Sequence, residues 1–450
     1  MASKKGLTLK SIIPAVFILI NHATCSLAAS GSSEASSKSD ATSLNPGFDI
    51  LSVLQLAVSL PSHSWEFGTA SEALLELFDA PFSVYGTQPF PIPTLDPQDS
   101  PSLSYAQQKI VIDTPPNGLS DGDGAVGDPA SLGVSAMLLG QTDPTFLQAA
   151  TAELEYVVGQ APRWSNGAIS HRAQYAELWA DFIYMAPPFL AYCGAGTNNA
   201  SVLFEAVNQC LLYRDILIAN STSDPTIPIS PPATHSPDAS GLWTHIMGPV
   251  NDDPGIWSTG NAWAAAGTMR VLATLIKAPG FLFTSHGSDT NQALINGRLT
   301  NAWKRNAISS LVGVITDILD GAMRVQADPE QDGLLRNYLD DPTWFGETSG
   351  STLLASVAYR LATLSSSSFP PLLSRASQQK YIAFAEGIRR ALGEDHITSN
   401  GTATPAVNPL GWGDRNPYTA GSPEGQNFVI LMYAAWRDCV RAGVNGCRAR

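Results

Sequence analysis

Apolar residues return at helical spacing along almost the whole chain, and strand-like alternation barely appears. The spacing predicts helices over about 48–60, 69–80, 129–140, 144–160, 174–193, 199–219, 258–277, 298–325, 347–365, 375–393 and 422–442, with a twelfth near 103–112. The gaps carry Pro, Gly, Asp, Asn and Ser, which fix or free the backbone and so punctuate the pattern. Three gaps, 81–102, 220–256 and 395–421, exceed ordinary connection lengths, which makes them candidates for function. Several helices open alike, as in Ser258-Thr259-Gly260-Asn261, Thr348-Ser349-Gly350-Ser351 and Ser422-Pro423-Glu424-Gly425-Gln426. A leading hydroxyl can cap the unpaired N–H groups of the first turn, and Pro423 suits the first helical position. The bodies are rich in Ala and Gly, which let helices approach closely. An all-α toroid of helical hairpins fits that composition.

The chain has 450 residues and begins with a basic stretch, MASKKGLTLK, followed by the short apolar run SIIPAVFILI and small residues. That order predicts a secretory signal over 1–28. The apolar run is too short for a membrane span, which needs ~20 residues. A flexible Ser-rich leader is expected over 29–46 and a single catalytic domain over 47–450. Without residues 1–28 the chain keeps 22 basic against 39 acidic side chains. Such a balance argues against nucleic acid, whose binding rests on neutralising phosphates. Secretion would leave Cys193, Cys210, Cys439 and Cys447 in an oxidising compartment. Short loops favour Cys193–Cys210 and Cys439–Cys447; two other connectivities stay open, as do free buried thiols. Asn199, Asn220 and Asn400 begin glycosylation sequons.

The stretch ELWADFIYMAPPFLAYCG, 177–194, reads as a greasy helix with a carboxylate inside it. Burial of Asp181 among Trp179, Tyr184 and Met185 would disfavour ionisation and raise its pKa. A neutral acid can donate a proton, the task of a general acid. Pro187 and Pro188 each remove a backbone donor and imply a kink just beyond. The alternative for Asp181 is a structural role at a neighbouring helix end.

Three further regions combine aromatics with polar groups: 121–129, 241–263, and the pair 341–350 with 411–426. Indole and phenol faces cover the apolar faces of pyranose rings, while Asp, Asn, His and Gln bond hydroxyls. Trp243, Trp257, Trp344 and Trp412 are weighed toward a site, and Trp303 and Trp436 toward the core. The candidate sugar-binding set is Trp179, His245, Trp257, Asn261, Trp263, Trp344, Glu347, Arg415 and Gln426.

The succession ELWADFIYMAPPFLAYCG, GLWTHIMGPVNDDPGIWSTGNAWAAAG, ETSGSTLLA and SPEGQNFVILMYAAW resembles glycoside hydrolase family 105, in its secreted fungal branch, over about 110–440. The resemblance implies an (α/α)6 six-hairpin barrel. It also implies an exo-acting hydrolase that takes a terminal 4,5-unsaturated uronic acid from an oligosaccharide by hydrating its vinyl ether, without a metal or other cofactor. The family's W-x-D aspartate falls on Asp181 and its second aspartate on Asp128. Its sugar-site His and aromatic pair fall on His245, Trp257 and Trp263. One departure stands out. Many relatives carry an arginine where this chain has Thr259, and a Thr hydroxyl cannot copy a two-pronged guanidinium–carboxylate bond. Arg415, His245, Ser349 and Ser351 are candidate replacements. Two other functions stay open: an inverting glycosidase using Asp181 with Asp128 on saturated sugars, and a sugar-binding protein without turnover.

Overall fold

The computed structural model describes residues 40–219, 237–286, 292–325, 328 and 333–449. The expected signal, residues 29–39 of the Ser-rich leader and the Asn220 sequon lie outside these residues, while Ala41, within the expected leader, is buried and its carbonyl accepts from Arg437. Among the described residues twelve α-helices follow one another: α1 (Ile50–Ser59), α2 (Ser64–Phe78), α3 (Pro101–Lys109), α4 (Gly133–Leu139), α5 (Pro144–Gly159), α6 (Phe182–Gly196), α7 (Ala200–Leu217), α8 (Ser258–Lys277), α9 (Asn301–Arg324), α10 (Thr348–Ser367), α11 (Arg375–Ala391) and α12 (Pro423–Arg441). A 3-10 turn, Pro129–Leu132, leads into α4.

The even-numbered helices form a closed inner ring. Each touches the next, the 3-10 turn completing the α2–α4–α6 contacts, and α12 returns to α2. The odd-numbered helices lie outside. From α3 onward each packs on the inner helix before it, while α1 packs on α12. The result is six hairpins, the sixth closed across the two ends of the chain. This is the (α/α)6 arrangement.

Composition sorts the helices between the rings. In α8 every residue from Ser258 to Leu275 is buried, as an inner helix touched on all sides requires. On the outer α11 burial is confined to a stripe including Tyr381, Ile382, Ala385 and Ile388. Glycine sets the spacing at one contact in particular. Pro187 cannot donate to the Ile183 carbonyl one turn back, and Gly267 of α8 packs directly on that oxygen, where any Cβ would clash. The helix runs through both prolines to Gly196.

All six inner helices begin at the same end of the ring. The far ends are tied by buried charge. Glu76 of α2 binds Arg270 of α8 and, at 2.6 Å, Arg360 of α10. Arg270 also meets Glu72 at 2.7 Å, and Arg360 meets Asp438 of α12 at 2.6 Å. A hollow of about 350 Å³ opens there.

Two expectations need correction. The helix expected from residue 174 starts at Phe182. Residues Leu178–Trp179 instead form β1, paired antiparallel with β2 (Ile246–Met247). The cause is Glu177, whose buried carboxylate accepts from Trp179 Nε1 at 2.7 Å and from the Asn251 N–H at 2.9 Å, locking the segment to the 246–251 turn. The second correction concerns the cysteines. Cys439–Cys447 is formed, but Cys193 and Cys210 are separate buried thiols. Gly194 packs beside Leu203. Cys210 lies seven residues farther along α7, about 10 Å by helical rise, beyond the reach of a disulfide. Two thiols should therefore titrate when a chain lacking residues 1–28 is unfolded without reductant, and four after reduction.

Candidate active site

The starts of the inner helices surround a cavity of about 170 Å³. Residues preceding or opening α2, α4, α6, α8 and α12 all reach it, joined by the loop 409–412.

Asp181 stands directly before the first turn of α6, with helical backbone angles, and its side chain is 15% exposed. Its Oδ2 faces His245 Nε2 at 3.4 Å. Neither atom has an aligned hydrogen-bond partner although both are buried. On the other side of the ring, His245 Nδ1 is 2.9 Å from Asp253 Oδ2, and Tyr338 donates to the same oxygen at 2.6 Å. Burial opposes charge on His245, but the Asp181 and Asp253 carboxyls on its two sides outweigh it and raise the imidazole pKa.

Asp128 lines the same cavity, at the entry to the 3-10 turn before α4. Burial, and then the Asp181 carboxylate, push its pKa up to about 8. Asp128 is therefore a neutral acid of this pocket at neutral pH. Asp181 stands at the start of α6, with His245 facing its carboxyl.

Aromatic rings wall the cavity. Trp179 stacks on His171 with ring centres 4.6 Å apart, and Trp412 meets Trp179 and His245 edge-on at 5.4 and 5.1 Å. His171 is fully buried, which lowers its pKa to about 4 and keeps the ring neutral. Asn337 fixes two indoles at once: its Oδ1 accepts from Trp257 Nε1 at 2.8 Å and its Nδ2 donates to the Trp412 carbonyl at 2.9 Å. Of the four tryptophans weighed toward a site, Trp257 and Trp412 line it. Trp243 is core, and so is Trp436, as expected; Trp303 packs partly buried against the core.

The structure brings Asp128, Asp181, Trp179, His245 and Trp257 together and leaves the other candidates outside the cavity lining. Asn261 is wholly buried and bonds the Trp243 N–H and carbonyl, fixing the segment before His245. Trp263 is core, between Tyr184 and Phe428. Glu347 caps α10, accepting from the Ser349 and Gly350 N–H groups, and takes the Ser258 hydroxyl. Gln426 pins the 401–403 turn through the Ala403 N–H and the Gly401 carbonyl. Trp344 lies beneath the Arg415 guanidinium at 4.5 Å, and Arg415 is committed to Asp341 and Thr343. Arg415 therefore does not stand in for the arginine absent at Thr259, and Ser349 and Ser351 are buried away from the cavity.

Sequence reading passed over His63, Trp65, His171 and Arg172, which line the cavity, and counted neither Asp123, within the 121–129 region, nor Glu424 as a site residue. Arg172 donates from Nη2 to the Asp123 carbonyl at 3.1 Å and is the sole arginine or lysine among the lining residues. The only available signal was His171-Arg172 lying ten residues before Asp181, in a segment expected to enter a helix.

Comparison with known proteins agrees with this architecture. The model of Glycosyl Hydrolase Family 88 matches residues 135–364. Unsaturated rhamnogalacturonyl hydrolase YesR of Bacillus subtilis is 27% identical over 220 residues, 48% of this chain. The match spans about half of that relative, 51% of its length. Two solved structures share the fold, both titled possible members of GH105. One, from Salmonella enterica, has a TM-score of 0.59 at 17% identity, covering 86% of this chain and 92% of its own. The other, from Klebsiella pneumoniae, has a TM-score of 0.60 at 15% identity, covering 96% and 99%. Just over half of the chain, including α6 with its flanking aspartate and the whole of α8, lies within the matched span, and the chain belongs to glycosyl hydrolase family 88.

Proposed function

We propose that this protein is a secreted, exo-acting hydrolase that removes a terminal 4,5-unsaturated uronic acid from oligosaccharides left by polysaccharide lyases. One observation carries the reading: the neutral acid Asp128 and the carboxyl of Asp181 share an aromatic-walled cavity with a lone guanidinium. The name of the Bacillus relative points to the same chemistry.

A vinyl ether needs a proton on carbon before water will add. Asp128 holds a proton near neutral pH, because burial and the neighbouring Asp181 charge oppose its ionisation. In this mechanism Asp181 relays that proton to C4, and the positive charge develops at C5 and the ring oxygen. Water adds through its oxygen to C5 and returns its proton to the carboxyl pair. The resulting hemiketal opens, and its collapse releases the remaining sugar. His245, fixed by Asp253, orients Asp181. Trp179 and Trp412 supply apolar faces for the sugar ring.

Arg172 is assigned to the substrate carboxylate, the task left open by Thr259. Arg172→Met should raise KM by roughly 10- to 100-fold with a smaller change in kcat, since a charge-assisted bond is worth about 1.5–3 kcal/mol. Incubation with unsaturated galacturonides should abolish their ultraviolet absorbance. Unchanged absorbance with release of reducing ends from saturated oligomers would replace this reading with that of an ordinary glycosidase. The pH profile carries a further mark. Asp128 is neutral below about 8 and ionises above it, so kcat/KM should fall as pH rises through that value. A rate still climbing well beyond it would remove Asp128 as the holder of the proton.

A further inference from the structure

Glu424 opens the last inner helix and lines the cavity, yet the proton transfer described above does not use it. It is 3% exposed. Its Oε1 accepts from Trp65 Nε1 at 3.0 Å, while Oε2 is buried without any hydrogen-bond partner. A buried, unsatisfied polar atom is costly, and native sites retain one where a ligand completes it. Asp181 Oδ2, His245 Nε2 and His171 Nδ1 are likewise unpartnered lining groups. The four orphaned atoms outline a polar ligand, and Glu424 is the one on the α12 side.

We propose that Glu424 acts as a hydrogen-bond donor, its free O–H reading an oxygen of the terminal anionic sugar and so setting substrate specificity. The proposal rests on the uronide reading of the site. The surroundings decide which form the carboxyl takes. Burial comes first; then the charges facing Glu424 are those of Asp181 before α6, Glu66 on α2 and Glu347 before α10, all acidic. Trp65 contributes a neutral donor from α2. The basic lining groups are Arg172, His63, His171 and His245; His245 is held between Asp181 and Asp253. An ionised Glu424 would add negative charge beside Asp181 and repel the uronate. A neutral one does not repel the anion and donates its O–H to a sugar oxygen. The Trp65 bond orients it, leaving Oε2 to carry the proton.

Infrared difference spectroscopy of wild type against Glu424→Gln reads the group directly. A neutral carboxylic carbonyl band is expected at neutral pH, absent from the variant and displaced when an unsaturated digalacturonide is added. Kinetically, Glu424→Gln keeps an acceptor for Trp65 and an N–H for the sugar, so KM should stay within about threefold of wild type. Glu424→Leu, which fills similar space with no donor, should raise KM about tenfold or more while kcat changes less. The proposal is overturned if no neutral band is present, if the band ignores the ligand, or if glutamine is as damaging as leucine. Wild type that leaves the unsaturated sugar intact sinks the proposed reaction instead, because the band and its response are read without turnover.

Discussion

Asp181→Asn is expected to lower kcat on an unsaturated galacturonide by about 10³-fold, within the span that a positioned proton-transfer group supplies. Asparagine keeps the shape of the side chain and can still face His245 Nε2, so the cavity and its aromatic walls should persist. Substrate affinity, read by quenching of tryptophan fluorescence, should therefore change little. That split between turnover and binding is the diagnostic feature. A parallel loss of both would mean that Asp181 mainly holds the pocket together. Retention of more than about a tenth of wild-type kcat would exclude it as the transferring group. Asp128→Asn should also depress kcat and should abolish the decline above pH 8, because the variant has no proton there to lose.

The largest expected effect on stability lies at the opposite end of the ring. Glu76 joins α2 to α8 and α10 through Arg270 and Arg360, and all three side chains are at most 4% exposed. Glu76→Ala leaves two buried guanidinium groups short of a counter-charge. Arg270 keeps Glu72, and Arg360 keeps Asp438. Breaking a buried pair on one side costs about 3–5 kcal/mol. For a chain of this length that corresponds to a fall of about 5 °C in Tm. Thermal unfolding followed by circular dichroism measures it. A shift under about 1 °C would show that the network is no more than neutral to the fold. The catalytic constants of the surviving folded fraction should be close to wild type, since the network lies at the far ends of the helices.

Much of the ring was legible because its signal is local. Helix spacing, hydroxyl caps and Pro423 at a first turn depend on residues within a few positions of one another, and the boundaries at Asn301, Thr348, Arg375 and Pro423 fall within three residues of those expected. The start of α6 was misplaced because the pull on it is distant. Glu177 is held by Asn251, more than seventy residues away, and nothing local marks the break. The same limit explains the site. Asp181, His245 and Trp257 sit in dense aromatic segments, and the fold does bring them to one cavity. Arg172 and His171 lie in a plain loop and become neighbours of Asp128 only through the fold. Glu347, Asn261 and Gln426 were misassigned for a physical reason: a polar residue at the start of a buried helix looks the same in sequence whether it bonds a sugar or a backbone N–H. Trp344 with Arg415 made a convincing pair that the fold places elsewhere.

The common direction of the inner helices also bears on how an acidic protein receives an acidic ligand. A helix start carries about half a positive charge. Six such starts stand at one end of the ring, five of them at the mouth, and aspartate and glutamate side chains at the rim consume part of that field. At long range the molecule, with its formal charge of -14, repels an anion; within the mouth the peptide dipoles attract it. Added salt screens the distant repulsion more than the short-range attraction, so capture of a charged sugar should quicken in brine, contrary to the usual behaviour of a basic receptor meeting an anion.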